Sequence, residues 1–194
     1  MKIEEIRAAL IHTKWASICT EIRPSILKDE KGNVKPIFCT REFDYMPEDI
    51  FELRFTSYGD SNGKLALSEM LIRGHIHFGE ELALIAGAYE INYIADISFE
   101  LTLLHDGMVE TFNQLPQDPV LGKWTKNTSQ AVLKKALPAL GLKADEYFEE
   151  YDLIYLYDDL LFNGSRHVDG RPFDKPENRP TNLQIPLTRK ADRK

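Results

Sequence analysis

Two histidines one residue apart, His75 and His77, with Glu81 following, form the first chemistry-bearing pattern in the chain. On a strand, residues i and i+2 point the same way, so the two imidazoles can share a metal ion. Solvated histidines near a strand end are the simpler reading of the same residues. Three charges, Arg41, Arg73 and Glu90, fall in the middle of otherwise apolar or alternating segments. Such a set can hold a ligand head group through charge-assisted hydrogen bonds, close one end of a barrel as a structural ion pair, or lie on a solvated strand face. For nucleophilic catalysis a serine or cysteine in a strained turn, with a histidine and an acid to follow, is required, and no such motif occurs. Cys39, on an apolar strand, reads as a small core residue. The carboxylate pairs Glu149-Glu150 and Asp158-Asp159 read as solvated acids. No reaction is specified, and no cofactor is expected.

These groups need elements to position them. Ile3, Ile6 and Leu10 share one helical face, with Glu4 and Glu5 in the first turn, so a short amphipathic helix is expected within residues 1–13. From Trp15 the period changes to two, through Ala16, Ile18, Thr20 and Ile22, until Pro24 stops the run. Asp29 to Asn33 is turn chemistry. Further strands are expected at 37–45, 51–58 and 65–78. The clearest alternation is Tyr89 to Leu103, where every odd position is apolar, as a sheet with one covered and one wetter face requires. Residues 105–145 read as a helical insertion, with a short helix through Val109 and Phe112 and a second from Ser129 to Leu140. Strands return at 151–157 and 160–162 around the tight turn Asp158-Asp159. A Pro-, Gly- and Arg-rich loop leads to a last strand at Leu183 to Leu187, and the tail 188–194 is expected to fray.

Many strands in succession, with helices only at the start and middle, argue against a parallel β-α sheet and for an antiparallel meander. A meander this long must curl or close to protect its edges. The expected fold is therefore mainly β, a closed or partly open antiparallel barrel formed by residues 14–104 and 146–187, in one domain spanning 1–194. The 194 residues are 43% hydrophobic and 28% charged, with a formal net charge of −7. That balance lacks the basic surface nucleic acid requires. No apolar run approaches the ~20 residues of a membrane helix. No export signal is visible, and two cysteines, Cys19 and Cys39, read as free thiols, so the expected location is the cytoplasm. There the acceptor-like triplets Asn127-Thr128-Ser129 and Asn163-Gly164-Ser165 would be idle.

The stretch Leu161-Phe162-Asn163-Gly164-Ser165-Arg166, then Asp169-Gly170, Asp174, Pro176-Glu177, Arg179 and Gln184-Ile185-Pro186-Leu187, resembles the adenomatosis polyposis coli down-regulated (APCDD) domain family. The likeness extends through Trp15, Cys19, Arg23-Pro24, Thr40-Arg41, Phe43, Tyr58-Gly59-Asp60, Ile72-Arg73-Gly74, Gly87, Glu90, Trp124 and Ala139-Leu140-Gly141, nearly the whole chain. The resemblance implies a calycin- or lipocalin-like barrel whose interior can take an acyl chain, with Arg41, Arg73 and Glu90 at family positions. Animal members of that family are membrane-anchored Wnt antagonists with two such domains outside the cell. Where they carry a second cysteine, this sequence reads Ser61-Asn62-Gly63, which leaves Cys19 without the implied partner. The spacing His-x-His-x-x-x-Glu also looks like the first half of a cupin metal motif. Its second half and the glycine preceding its first are missing.

The leading expectation is non-enzymatic binding of a hydrophobic or amphipathic small molecule, with Phe55, Tyr93 and Phe99 in the wall and Arg41, Arg73 or Glu90 orienting its polar end. The alternative is a protein-interaction domain using the C-terminal loop or an exposed sheet edge. A metal-dependent enzyme centred on His75, His77 and Glu81 comes third. In the loop, Asn163, Gly164, Arg166, Asp169, Asp174 and Arg179 read as self-bracing, with a recognition surface as the sharper alternative.

Overall fold

The computed structural model describes residues 1–11, 13–83 and 85–190, the side chain of Ile26 excepted. Helix α1 (Ile3–Leu10) leads into β1 (Lys14–Ser17), β2 (Glu21–Lys28), β3 (Val34–Met46), β4 (Ile50–Tyr58), β5 (Ala66–Glu81) and β6 (Ala88–Leu103). Then come α2 (Asp106–Phe112), β7 (Ser129–Ala131), β8 (Phe148–Tyr157), β9 (Leu160–Asn163) and β10 (Leu187–Arg189). All pairings between strands are antiparallel. The period-two pattern is the cause: alternate residues of β3 and β6 are buried and their neighbours wetter.

The ladder closes into a ring. β3 pairs β4, β4 pairs β5, β5 pairs β6, β6 pairs β8, β8 pairs β9, β9 pairs β10, β10 pairs β1, and β1 returns to β3. Trp15 sits at the closure, opposite Arg189 on one side and Phe43 on the other. The sheet is barrel-like, and β2 hangs from the ring as a flap paired to β3. Inside, Trp15, Tyr45, Phe51, Ile91, Leu101 and Leu103 are almost fully buried, and α1 adds Ile6 and Leu10. Tyr93 packs edge-on against Phe51 with ring centroids 5.0 Å apart. The interior is filled by the chain's own side chains, as small barrels usually are.

Four expectations change. Pro24 does not stop its strand: β2 runs through it, with Pro24 opposite Pro36 and a register shift before Lys28, an arrangement open to an edge strand whose outer N–H groups have no ladder to join. The segment Ser129 to Leu140 is not a helix. Its start pairs with Glu100 to Thr102 as β7, Lys134 takes a left-handed φ of 58°, and only Pro138–Leu140 forms a single 3-10 turn. The reason is β6, whose other half pairs with β8; β7 covers the edge left over, and Val132 and Leu137 bury themselves beneath it. The last strand is Leu187–Arg189 and not 183–187, with Leu183 making an isolated bridge to Gly164. Thr188 and Arg189, expected to fray, are therefore part of the closure; residues 191–194 of the expected tail lie outside the described residues.

Candidate functional site

The alternation along β3 turns Arg41 inward with Cys39, Phe43 and Tyr45. It arrives near the ends of three other strands. Ser17 closes β1, Glu21 opens β2 opposite Cys39, and Asn163 ends β9. Arg41 Nε donates to Glu21 Oε1 at 2.9 Å, and Arg41 Nη1 donates to Asn163 Oδ1 at 2.9 Å. The Ser17 hydroxyl donates to the same Glu21 oxygen at 2.7 Å. Glu21 Oε2 accepts from Arg23 Nε at 3.2 Å and from Gln184 Nε2 at 3.3 Å. From Asn163 the network runs inward: its Nδ2 donates to the Tyr93 hydroxyl at 3.1 Å, and the Tyr93 and Tyr45 hydroxyls lie 2.8 Å apart.

Burial would raise the Glu21 carboxyl, but the Arg41 and Arg23 charges and the hydrogen bonds from Arg41 and Ser17 outweigh it and hold the group below the usual carboxylate range. Asp152 goes the other way. Burial and the nearby Glu150 charge push it up to about 7, although it accepts from the backbone N–H groups of Leu153 and Gly164. Burial also lowers Arg166, near Glu150, Arg23 and Cys39. Burial pushes the Cys39 thiol up to about 11, so it stays protonated and unreactive. The side chain of Arg41 is 4% exposed, and its Nη2 is buried without a hydrogen-bond partner.

The other residues expected at a ligand site do not join this cluster. Arg73 and Glu90 lie on the opposite, outer face, where alternation along β5 and β6 puts the less buried residues. Glu90 faces Arg179 at 3.3 Å. Tyr93 and Phe99 belong to the packed core and Phe55 rests half-buried against it. Ile97, which the alternation places in the core, is 40% exposed because β6 bulges there.

In the C-terminal loop Asn163 and Gly164 anchor the cluster. Arg179 braces the outside, donating to the carbonyls of Ile91 and Asp152 and to Asn92 Oδ1. Asp174 accepts from Asn178 Nδ2, and Asp169 from the backbone N–H of Arg171. Asn163, fully buried, is no surface acceptor for a glycan.

His75 and His77 do share the outer face of β5. Glu81 is engaged elsewhere, accepting from the Gly87 N–H at 2.6 Å, and His75 instead meets Asp96 at 2.8 Å. Among the described residues no three His, Cys, Asp or Glu side chains are gathered as a metal site. Two surface clefts stand out. One of about 480 Å³ runs beside α2, along Val109, Asn113 and Trp124. The other, of about 270 Å³, is lined by Arg7, Glu48, Asp49, His75, Ile76, His77 and Phe78.

Glu21, Ser17, Asp152 and Asp96 were not singled out by the sequence, and Gln184 entered only as part of the family resemblance. For Asp152 a signal existed: it is the lone acid in the apolar run Tyr151 to Tyr157. Cys19 and Cys39 are both free, the first exposed and the second buried. Among the described residues no helix is long and apolar enough to cross a membrane. No family model matches the chain.

Proposed function

We propose that the chain is a non-enzymatic binding protein for an amphipathic small molecule whose anionic group is held by Arg41 at the polar end of the barrel-like sheet. The observation that carries this reading is the buried, unpartnered Nη2 of Arg41. A guanidinium has five donors, and a buried donor left unmade costs more than a bond to it returns when made. Arg23 and Arg41 flank the ionised Glu21 and Arg166 lies near Arg23; against these three cations stand Glu21, Glu150 and an Asp152 that is part-protonated near neutrality. The packed interior turns the apolar part of the ligand outward. Ile18, Ile22 and Ile185 are exposed neighbours in the chain of Ser17, Glu21 and Gln184, and they supply an apolar rim. The likeness to the APCDD family, strongest from Asn163 to Leu187, supports the same reading.

Titration calorimetry on the full chain with dodecanoate and with dodecanol tests it. Dodecanoate is expected to bind, dodecanol at least about tenfold more weakly, because a charge-assisted hydrogen bond contributes about 1.5–3 kcal/mol. R41K, which keeps the charge opposite Glu21 but loses the fork, is expected to lower that preference. Equal affinity for acid and alcohol, or binding of neither, overturns the proposal. One feature favours a second reading, a protein-interaction domain: β2 ends the strand order and carries Ile22 and Leu27, each 63% exposed, the kind of edge that accepts an added strand.

A further inference from the structure

We infer that the cleft between α1, the β3–β4 turn and β5 is a divalent transition-metal site of the zinc type, with His75 and His77 as imidazole ligands and Asp96 orienting the first. It is separate from the arginine cluster and does not rest on it. His75 Nδ1 lies 2.9 and 2.8 Å from the two Asp96 oxygens, and the backbone N–H of His75 donates to Oδ1 at 3.1 Å. A carboxylate on one ring nitrogen fixes the tautomer and ring orientation and leaves the lone pair on the other, the arrangement that ligating histidines share. Nε2 of His75 is therefore the metal-facing atom.

The backbone is arranged to deliver this pair. Ala95, Asp96 and Ile97 of β6 together stand opposite the single residue Gly74 of β5. A side chain at Gly74 would overlap the Ile94 carbonyl oxygen, so only glycine lets the bulge close and bring Asp96 against His75. His77, two residues on, is exposed on the same face of β5, and its imidazole has no hydrogen bond or ion pair among the described residues.

Across the cleft, Glu48 and Asp49 form the tight hairpin turn between β3 and β4, with the left-handed φ values, 66° and 56°, that such a turn requires. Asp49 is committed: its carbonyl accepts from Ile76 N at 2.8 Å and its carboxylate pairs with Arg7 at 3.0 Å. That pairing neutralises Arg7, whose guanidinium rests on the Phe78 ring at 4.7 Å. Glu48 is exposed and lines the same cleft without an ion pair among the described residues. Two imidazole nitrogens, the Glu48 carboxylate and a water make a tetrahedral N/O set suited to zinc. His77 and Glu48, both exposed, swing onto the ion when it binds.

Calorimetric titration of the chelator-treated full chain with zinc chloride, at about pH 7.5, reads this out. One equivalent is expected to bind in the micromolar range. H77A is expected to lower affinity at least about tenfold, H75A as much, and D96N about ten- to a hundredfold, as loss of an orienting carboxylate does. E81Q and H105A are expected to leave it unchanged. His77 is exposed, so H77A keeps the test valid even where H75A disturbs the bulge. Absence of a one-equivalent event, or affinity unchanged in H77A, overturns the site; H77A weakening with D96N unchanged overturns the orienting role of Asp96.

Discussion

Asp152 and Glu21 sit at the same end of the sheet and respond to pH in opposite senses. Asp152 has a folded value of about 7 against an ordinary 3.8. The folded protein thus holds that proton more tightly than the unfolded chain. Its stabilising contribution is complete below about pH 4, is lost as pH rises through about 7, and amounts to about 4 kcal/mol at most. Glu21 is held below its ordinary 4.5, so its contribution is present above that value and disappears on acidification. Between about pH 5 and 8 only Asp152 of the two changes state. D152N, which retains an oxygen for the Leu153 and Gly164 N–H groups, is therefore expected to flatten the fall in urea midpoint over that range. A wild-type slope in D152N would show that another group titrates there. Arg41 was singled out in the sequence as a mid-strand charge at a position of the family it resembles; mid-strand charge alone does not separate it from Glu42 and Asp44 of the same strand. Its partners were not legible: Glu21 and Asn163 lie 20 and 122 residues away, and only closure of the ring sets those contacts.

Among the elements, β5 and β6 form the longest ladder and contain its main irregularity. Alternation made β6 legible almost to the residue, whereas β5, expected at 65–78, runs on to Glu81. The bulge was not legible, because a period-two pattern with two extra residues keeps its phase, and Ile97 still reads as a core position. Gly74 is the physical counterpart of that bulge. G74A places a methyl against the Ile94 carbonyl oxygen, in backbone that cannot yield without separating the strands. A loss of about 3 kcal/mol is expected, a fall in melting temperature of about 6–12 °C for a chain of this size. Melting within about 2 °C of wild type would mean the bulge adapts. The segment 129–140 misled for a related reason. Val132, Leu133, Ala136, Leu137 and Leu140 have helical spacing, yet the exposed edge of β6 offers hydrogen bonds and apolar cover that a lone helix would not. Tertiary demand overrides local period there.

At the scale of the molecule, the meander pattern required a curled or closed sheet, and the chain closes it with very short elements. β1 is four residues and β10 three, below the length at which alternation identifies a strand, which is why the last strand was expected earlier, at 183–187. These two strands join β9 to β3. Leu187 is fully buried opposite Leu161, and Arg189 stacks over the Trp15 indole at 5.2 Å. A chain ending at Pro186 keeps every pairing from β3 to β9 but breaks the ring at one seam. Loss of the buried leucine alone costs about 2–5 kcal/mol, and β1 is left with β3 as its sole partner. Hydrogen exchange resolved by segment should then show β1 and β9 losing protection while β4, β5 and β6 retain theirs, since local opening follows the contacts removed. Uniform loss across all strands would instead make the seam the keystone of global folding. Unchanged protection in β1 would show that β3 alone holds it and that the sheet does not depend on being closed.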